Sequence, residues 1–155
     1  MLDHFFSGSA LCAVDKAGRL TLPAFVRATL ARRGDARALL VGAHDSAPCL
    51  TAYDRSVLPL LHADLERRRI GAQRDADAHH SRARRAFGFA EECGIEAGVV
   101  ELPPLVRRRA GIGAFALIVG AGATFEIWDA EAARASDDPD LAELAAFHLE
   151  FQSAA

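Results

Sequence analysis

The sequence predicts a mixed α+β protein in which one unit of about fifty residues occurs twice. The segment GRLTLPAFVRATL at 18–30 aligns with GVVELPPLVRRRA at 98–110, at an offset of 80 residues. Two later pairs of segments also match, ALLVGA with ALIVGA and LTAYD with FEIWD. Each copy combines short alternating strands with one helix, so we expect strands and helices to be interspersed along the chain.

The first copy predicts two strands, a helix and two more strands. Residues 11–14 are apolar, and residues 19–22 alternate polar and apolar, as a half-buried strand does. Pro23 suits the first position of a helix because its fixed φ and missing N–H cost nothing there. We expect that helix to end at Gly34. The remaining strands are expected at 37–43 and 49–53, on either side of the turn-rich segment HDSAP.

The second copy has the same predicted order. Its strands are expected near 86–91, 98–102, 115–119 and 124–128, with a short helix at 103–109.

Two helical segments complete the chain, which gives four predicted parts. These are a first repeat at 5–57, a helical connector at 58–84, a second repeat at 85–135 and a C-terminal helix at 136–155. In the connector, Asp54 is the expected N-cap. Asp138 and Pro139 are expected to start the last helix, whose apolar stripe contains Leu141, Leu144, Ala145 and Phe151.

Composition restricts the class of protein. The chain has 155 residues, of which 51% are hydrophobic and 25% charged, as in a folded globular protein. It contains no long uncharged apolar run, so a membrane span is not expected. The net charge of −3 gives no overall basic signature for nucleic-acid binding, although the arginines form local clusters.

The three cysteines, Cys12, Cys49 and Cys93, are scattered and never form a CxxC pair. This spacing disfavours a disulfide framework or a zinc site, and buried free thiols are expected. His79 and His80 are neighbours on a predicted helix, where they point about 100° apart, which also disfavours a metal site.

The turn DKAGR at 15–19 is the strongest candidate site, and it holds the only lysine of the chain, Lys16. Ala17 and Gly18 predict a two-residue turn that projects Lys16 and Arg19 away from the sheet. Asp15 either orients Arg19 through a charge-assisted hydrogen bond or only balances its charge. A guanidinium held in this way suits phosphate or the edge of guanine. The alternative is a solvated hairpin tip, and the residues alone leave both interpretations open.

Taken together, these motifs resemble the MraZ family. The resemblance rests on FFSGSALCAVDKAGRLTLPAFVRATL and CLTAYD in the first copy and on LIVGAGATFEIWD in the second, and it covers about residues 5–135. It implies a bacterial transcriptional regulator in which two AbrB-like, swapped-hairpin halves form one β-barrel-like unit. It also implies a ring-shaped homo-oligomer that binds short direct repeats of double-stranded DNA upstream of the division and cell-wall gene cluster, most simply as a repressor.

The resemblance assigns the DNA contact to Asp15 and Arg19, since the Asp-x-x-x-Arg turn faces DNA in that family. Lys16 joins them on the strength of its charge. The resemblance also implies a cytoplasmic, nucleoid-associated protein. We expect no cofactor, no metal and no membrane partner. A further group of residues is expected to build or support the turn: Gly18, Leu22, Pro23, Arg27 and Arg107.

The second copy departs from the pattern at its turn. Ile95, Glu96 and Val99 stand where the first copy has Asp15, Lys16 and Arg19. A DNA-facing turn needs positive charge to displace counterions from phosphate, and this turn carries a negative one. We therefore expect the second turn to be a packing or subunit-contact edge.

The sequence leaves two alternatives to DNA binding. An oligomeric assembly module with weak or no DNA binding is favoured by the acidic balance and the altered second turn. An enzyme would have to use His44, Asp45 and Cys49, which share one loop, but no oxyanion donor or nucleotide-binding loop accompanies them. Catalysis is therefore not expected.

Overall fold

The computed structural model describes residues 4–71 and 75–152. Residues 72–74 of the predicted connector and 153–155 of the predicted C-terminal helix lie outside the described residues. The strands are β1 (Ser9–Ala13), β2 (Arg19–Thr21), β3 (Ala38–Ala43), β4 (Leu50–Tyr53), β5 (Glu91–Gly94), β6 (Val99–Glu101), β7 (Phe115–Ala121) and β8 (Thr124–Asp129). The α-helices are α1 (Ala24–Arg33), α2 (Leu58–Gly71), α3 (Ala76–Ala83), α4 (Pro104–Ala110), α5 (Ala130–Arg134) and α6 (Pro139–Gln152).

The strands of the two halves pair with each other. A six-stranded antiparallel sheet has the order β1-β7-β8-β4-β3-β5, so β1 pairs with a strand of the second half and β5 with a strand of the first. β2 and β6 form a separate two-stranded antiparallel sheet. The mixed α+β class is confirmed. The larger sheet is open, however, with β1 and β5 at its edges, and in the described part of the chain neither sheet closes into the expected barrel-like unit.

Each face of the six-stranded sheet has its own core. On one face, side chains of the sheet pack with β2, β6, α1 and α4, and buried members include Leu20, Val26, Val100 and Val106. On the other face, Leu117 and Trp128 pack with α5 and α6. The alternation of side chains along β7 explains this division, since Ala116 and Ile118 belong to the first core and Leu117 to the second.

The local signals for α1 act largely as predicted. Gly34 ends the helix with a left-handed φ of 81°, and its N–H bonds the carbonyl of Ala31. Val26 and Leu30 are buried and Phe25 is half-buried. Pro23 is the N-cap and not the first helical residue, with φ −59° and ψ 154°.

Some expected boundaries were wrong. The segment 86–91 is not a strand, because α3 continues into a π-helical turn at Arg84–Gly88 and β5 starts only at Glu91. Phe151 is 64% exposed, and His148 occupies the buried position of α6 instead, where it hydrogen-bonds to Ser9. The helix α5 was not predicted, although Asp129 caps it by accepting from the backbone N–H of Ala132. No helix among the described residues is long and apolar enough to cross a membrane.

A buried ion pair, Arg33 with Asp54, connects several segments of the chain. The guanidinium of Arg33 lies 3.4 Å from the carboxylate of Asp54, and the two side chains are 9% and 0% exposed. Arg33 also donates to the carbonyls of His4 and Ala123 and stacks over the ring of Phe6 at 4.5 Å. It thereby joins the N-terminal segment, α1, the end of β4 and the β7–β8 turn. Asp54, the expected N-cap, starts a short 3₁₀ helix at Arg55–Val57 that leads into α2.

Replacing the buried carboxylate should be costly. Asp54→Ala leaves the Arg33 guanidinium buried without its counter-charge, and we expect the free energy of unfolding to fall by about 3–5 kcal/mol in a urea titration. The matched control is Asp64→Ala, which removes a 44% exposed partner of Arg67 and Arg68 and should cost less than about 1 kcal/mol. Equal losses in the two variants would contradict a structural role for the buried pair.

Candidate nucleic-acid interface

The first turn joins β1 to β2 by a three-residue loop. The N–H of Gly18 donates to the carbonyl of Asp15 at 2.9 Å, and the N–H of Asp15 donates to the carbonyl of Arg19 at 3.0 Å. Lys16, Ala17 and Gly18 therefore lie between the paired residues, and the expected two-residue turn is wrong by one residue. Gly18 adopts φ +87°, as the last position of such a bulged loop requires.

Asp15 shapes this turn through the backbone. Its Oδ1 accepts from the N–H groups of Ala17 and Arg19, both at 2.9 Å. These bonds, of which that from the N–H of Arg19 has the largest effect, lower the pKa of Asp15. The carboxylate therefore stays ionised and continues to accept them at neutral pH. The hydrogen bond expected from the guanidinium of Arg19 to the carboxylate of Asp15 is absent among the described contacts. Asp15 fixes the backbone at Arg19, and the direction of the guanidinium is left to other groups.

The two cations of the turn are exposed. The side chain of Arg19 is 58% exposed, and its Nε lies 4.0 Å from Oε2 of Glu101 on the neighbouring strand. Lys16 is also exposed, and within the described residues no hydrogen bond or ion pair engages its ammonium group. Both groups are therefore available to an anionic partner.

The second turn has a different geometry as well as a different charge. Glu96 and Val99 exchange backbone hydrogen bonds at 3.1 and 2.9 Å, so only Ala97 and Gly98 lie between them. Both central residues have positive φ, 52° and 77°, as in a type I′ hairpin. Ile95 packs against the core instead of occupying the place of Asp15. The second turn is thus one residue shorter, a difference that the repeat alignment did not detect.

Each turn is held by the other half of the chain. The N–H of Leu22 donates to the carbonyl of Gly98 at 2.8 Å, and the N–H of Leu102 donates to that of Gly18 at 2.9 Å. Leu22 and Leu102 are themselves buried. This reciprocal bonding fixes the two turns relative to one another.

The matching arginines of α1 and α4 cross over in the same way. A Cβ added at Gly18 would meet the side chain of Arg107 at 2.6 Å, and one added at Gly98 would meet that of Arg27 at 3.0 Å. Arg27 also donates from Nε to the carbonyl of Leu22. Both arginines were expected to support a turn, and each contacts the turn of the other half of the chain.

The loop proposed for the enzyme alternative does form a polar cluster. His44, Cys49 and Glu126 place one ligand atom each within 4.8 Å of one another. However, Nδ1 of His44 accepts from the backbone N–H groups of Ser46 and Ala47, which leaves the ring proton on Nε2, facing Glu126 at 3.2 Å. A metal at Nε2 would need that proton on Nδ1, against two donors, so the cluster does not fit a metal.

The remaining candidates carry no reactive chemistry. Asp45 is engaged by Arg68 and lies 3.8 Å from Arg85. The three cysteines are free and buried, as expected. Burial raises the pKa of Cys12 and of Cys93 to about 11 and also raises the pKa of Cys49, so thiolates are disfavoured at all three.

Sequence reasoning missed Glu101, the carboxylate beside Arg19. In the antiparallel register Arg19 lies opposite Glu101, and Thr21 lies opposite Val99. The sequence contained the information needed to find it. When β2 pairs antiparallel with β6, the matching strand of the second copy, Arg19 and Glu101 face each other.

Comparison with known proteins finds relatives that match most of the chain. The chain is 32% identical over 146 residues to a transcriptional regulator MraZ of Saccharophagus degradans, covering 87% of this chain and 92% of the relative. It is 31% identical over 141 residues to the transcriptional regulator MraZ of Bordetella pertussis, covering 89% and 92%. With that of Coxiella burnetii it shares 29% over 128 residues, 79% of this chain and 78% of the relative. No family model matches the chain. On the strength of these relatives, the chain belongs to the MraZ family of transcriptional regulators, which are not enzymes.

Proposed function

We propose that this regulator binds double-stranded DNA through its first turn, with Arg19 and Lys16 as contacts and Asp15 and Gly18 as the residues that shape the turn. The observation that carries the proposal is the exposure of both cations at the turn between β1 and β2, which lies at one end of the two-stranded ribbon formed by β2 and β6 and is held by the other half of the chain. A rigid tip loses little conformational entropy on binding.

The chemistry of the tip suits the major groove of DNA. That groove admits a two-stranded β-ribbon, and a guanidinium can bond O6 and N7 of guanine at the same time. The ammonium of Lys16 is suited to a phosphate as a point charge. In this arrangement Arg19 supplies sequence preference, and Lys16 supplies affinity that depends on salt.

The first turn alone makes few phosphate contacts. The second turn adds none, because it presents Glu96 and Val99 and no cation. We therefore propose that several copies act together in a ring-shaped homo-oligomer, built from two AbrB-like halves per chain. Copies that bind neighbouring direct repeats raise the effective concentration of one another at the site. The proposed operator lies upstream of the division and cell-wall gene cluster, where occupancy would repress transcription, and the proposed location is the cytoplasm at the nucleoid.

The second candidate is an oligomeric assembly module with weak or no DNA binding. It is favoured by large apolar side chains that are more than half exposed, among them Leu60, Ile70, Phe147 and Phe151. Such side chains are typical of interaction surfaces when they lie close together, and Phe147 and Phe151 stack on each other with ring centres 4.8 Å apart. Both candidates require contacts between subunits. They differ in whether the turn that carries Arg19 binds DNA.

Loss of the guanidinium tests the DNA contact. Arg19→Ala should weaken binding of a labelled duplex from the chain's own upstream region by about tenfold or more, since a bidentate guanine contact is lost. Lys16→Ala should weaken it less and should reduce the slope of log affinity against log salt by about 0.9 per copy bound. The control is Arg134→Ala, an exposed arginine of α5 on the other face of the sheet. No binding at low salt, or binding that Arg19→Ala leaves unchanged, would favour the assembly module.

Adding a cation to the second turn tests whether that turn is vacant. Val99→Arg places a guanidinium at the position that matches Arg19, so a clear gain in affinity at low salt is expected if the second turn lies near DNA without contacting it. The same titration applies, with Val99→Ala as the control for loss of the valine. An unchanged affinity would mean that the second turn points away from DNA or already contacts it through other residues.

A further inference from the structure

We propose that Glu101 is a specificity-determining residue of the DNA interface: it restrains Arg19 from phosphate and reads a base edge beside it. This inference rests on the proposed binding of DNA through Arg19. It begins with the register of the ribbon, in which Arg19 and Glu101 lie directly opposite each other on β2 and β6.

The two side chains are close enough to interact and exposed enough to separate. The Nε of Arg19 lies 4.0 Å from Oε2 of Glu101, and the side chains are 58% and 62% exposed. An exposed pair of this kind contributes little to folding and can be broken at small cost. The pair is therefore a poor device for stability, and Glu101 can change partners when Arg19 meets a ligand.

The carboxylate occurs only where the cation occurs. The symmetric position to Glu101 is Thr21, which lies opposite Val99 in the same small sheet. The ribbon thus has one charged cross-strand pair and one uncharged pair, at equivalent places. Since Glu101 is the only carboxylate that the described structure places in an ion pair with Arg19, it can act on that guanidinium selectively.

The carboxylates near Arg19 oppose simple phosphate binding. Asp15 belongs to the same turn and is occupied by backbone N–H groups, while Glu101 lies beside Arg19 on the neighbouring strand. A carboxylate beside Arg19 competes with phosphate for the guanidinium and repels the phosphate itself. This repulsion weakens binding to the phosphate backbone of any DNA, and so it improves discrimination among DNA sequences.

In the major groove the same carboxylate has a favourable partner. Glutamate accepts a hydrogen bond from the N4 amino group of cytosine, while the neighbouring arginine bonds guanine. Arg19 and Glu101 leave the same face of the ribbon side by side, so they present a donor fork and an acceptor together. We therefore expect the pair to favour a site in which a guanine lies next to a base whose amino group faces the major groove, such as cytosine, and to disfavour unrelated DNA.

The test compares two carboxylates of the ribbon. Affinities of wild type, Glu101→Gln and Glu96→Gln are measured for the upstream duplex and for a scrambled duplex, at two salt concentrations. Glu101→Gln should tighten binding to the scrambled duplex by about three- to fivefold. It should also lower the ratio of upstream to scrambled affinity by about fivefold or more, as a base contact is lost. Glu96→Gln, with no cation partner among the described contacts, should leave that ratio within about twofold of wild type.

A second variant, Glu101→Thr, installs the residue found at the symmetric position and should behave like Glu101→Gln. Both variants should melt at the temperature of wild type, because the pair is exposed. A ratio that neither variant changes, or an equal change from Glu96→Gln, would overturn the role of Glu101 while leaving DNA binding through Arg19 intact. Wild type that binds no duplex at low salt would instead overturn the proposed function and this inference together.

Discussion

The antiparallel pairing of β2 with β6 is the constraint on which the rest of the structure depends. It joins the two halves through reciprocal backbone bonds, from Leu22 to Gly98 and from Leu102 to Gly18. Since each bond involves the glycine of a turn, the pairing fixes the turns as well as the strands. The exchange of β1 and β5 between the halves of the larger sheet follows the same symmetry. Each half therefore holds the glycine of the other half's turn.

This interlocking separates the residues that build a turn from those that act at it. The glycines, the buried leucines and the crossed arginines of α1 and α4 occur in both halves and hold both turns. Cations at the turn itself, Lys16 and Arg19, occur in the first half only. A turn whose backbone is fixed from behind can carry different outward side chains in the same fold, and the two turns differ in these side chains and by one residue in length. We interpret the chain as a duplicated framework that carries one proposed binding tip.

Local signals predicted the elements well, and long-range contacts explain most of the errors. Helix α1, its end at Gly34 and the burial of the cysteines follow from short-range pattern and composition. The order of elements in the second copy predicted a strand at 86–91, but the preceding helix continues as a π-helical turn to Gly88. The contact between Arg19 and Glu101 depends on strand pairing across about eighty residues, and no local propensity encodes such pairing. The same holds for the buried pair of Arg33 and Asp54.

The most direct test compares the two turns within one molecule. Ala17 and Ala97 each precede the glycine of a turn, so Ala17→Cys and Ala97→Cys allow a photo-crosslinker to be attached at matched positions. The native thiols are buried and have raised pKa values, so they should react slowly with the reagent. With the upstream duplex, the account predicts crosslinks to DNA from position 17 and few from position 97. Equal yields, or a higher yield from position 97, would contradict the assignment of DNA binding to the first turn.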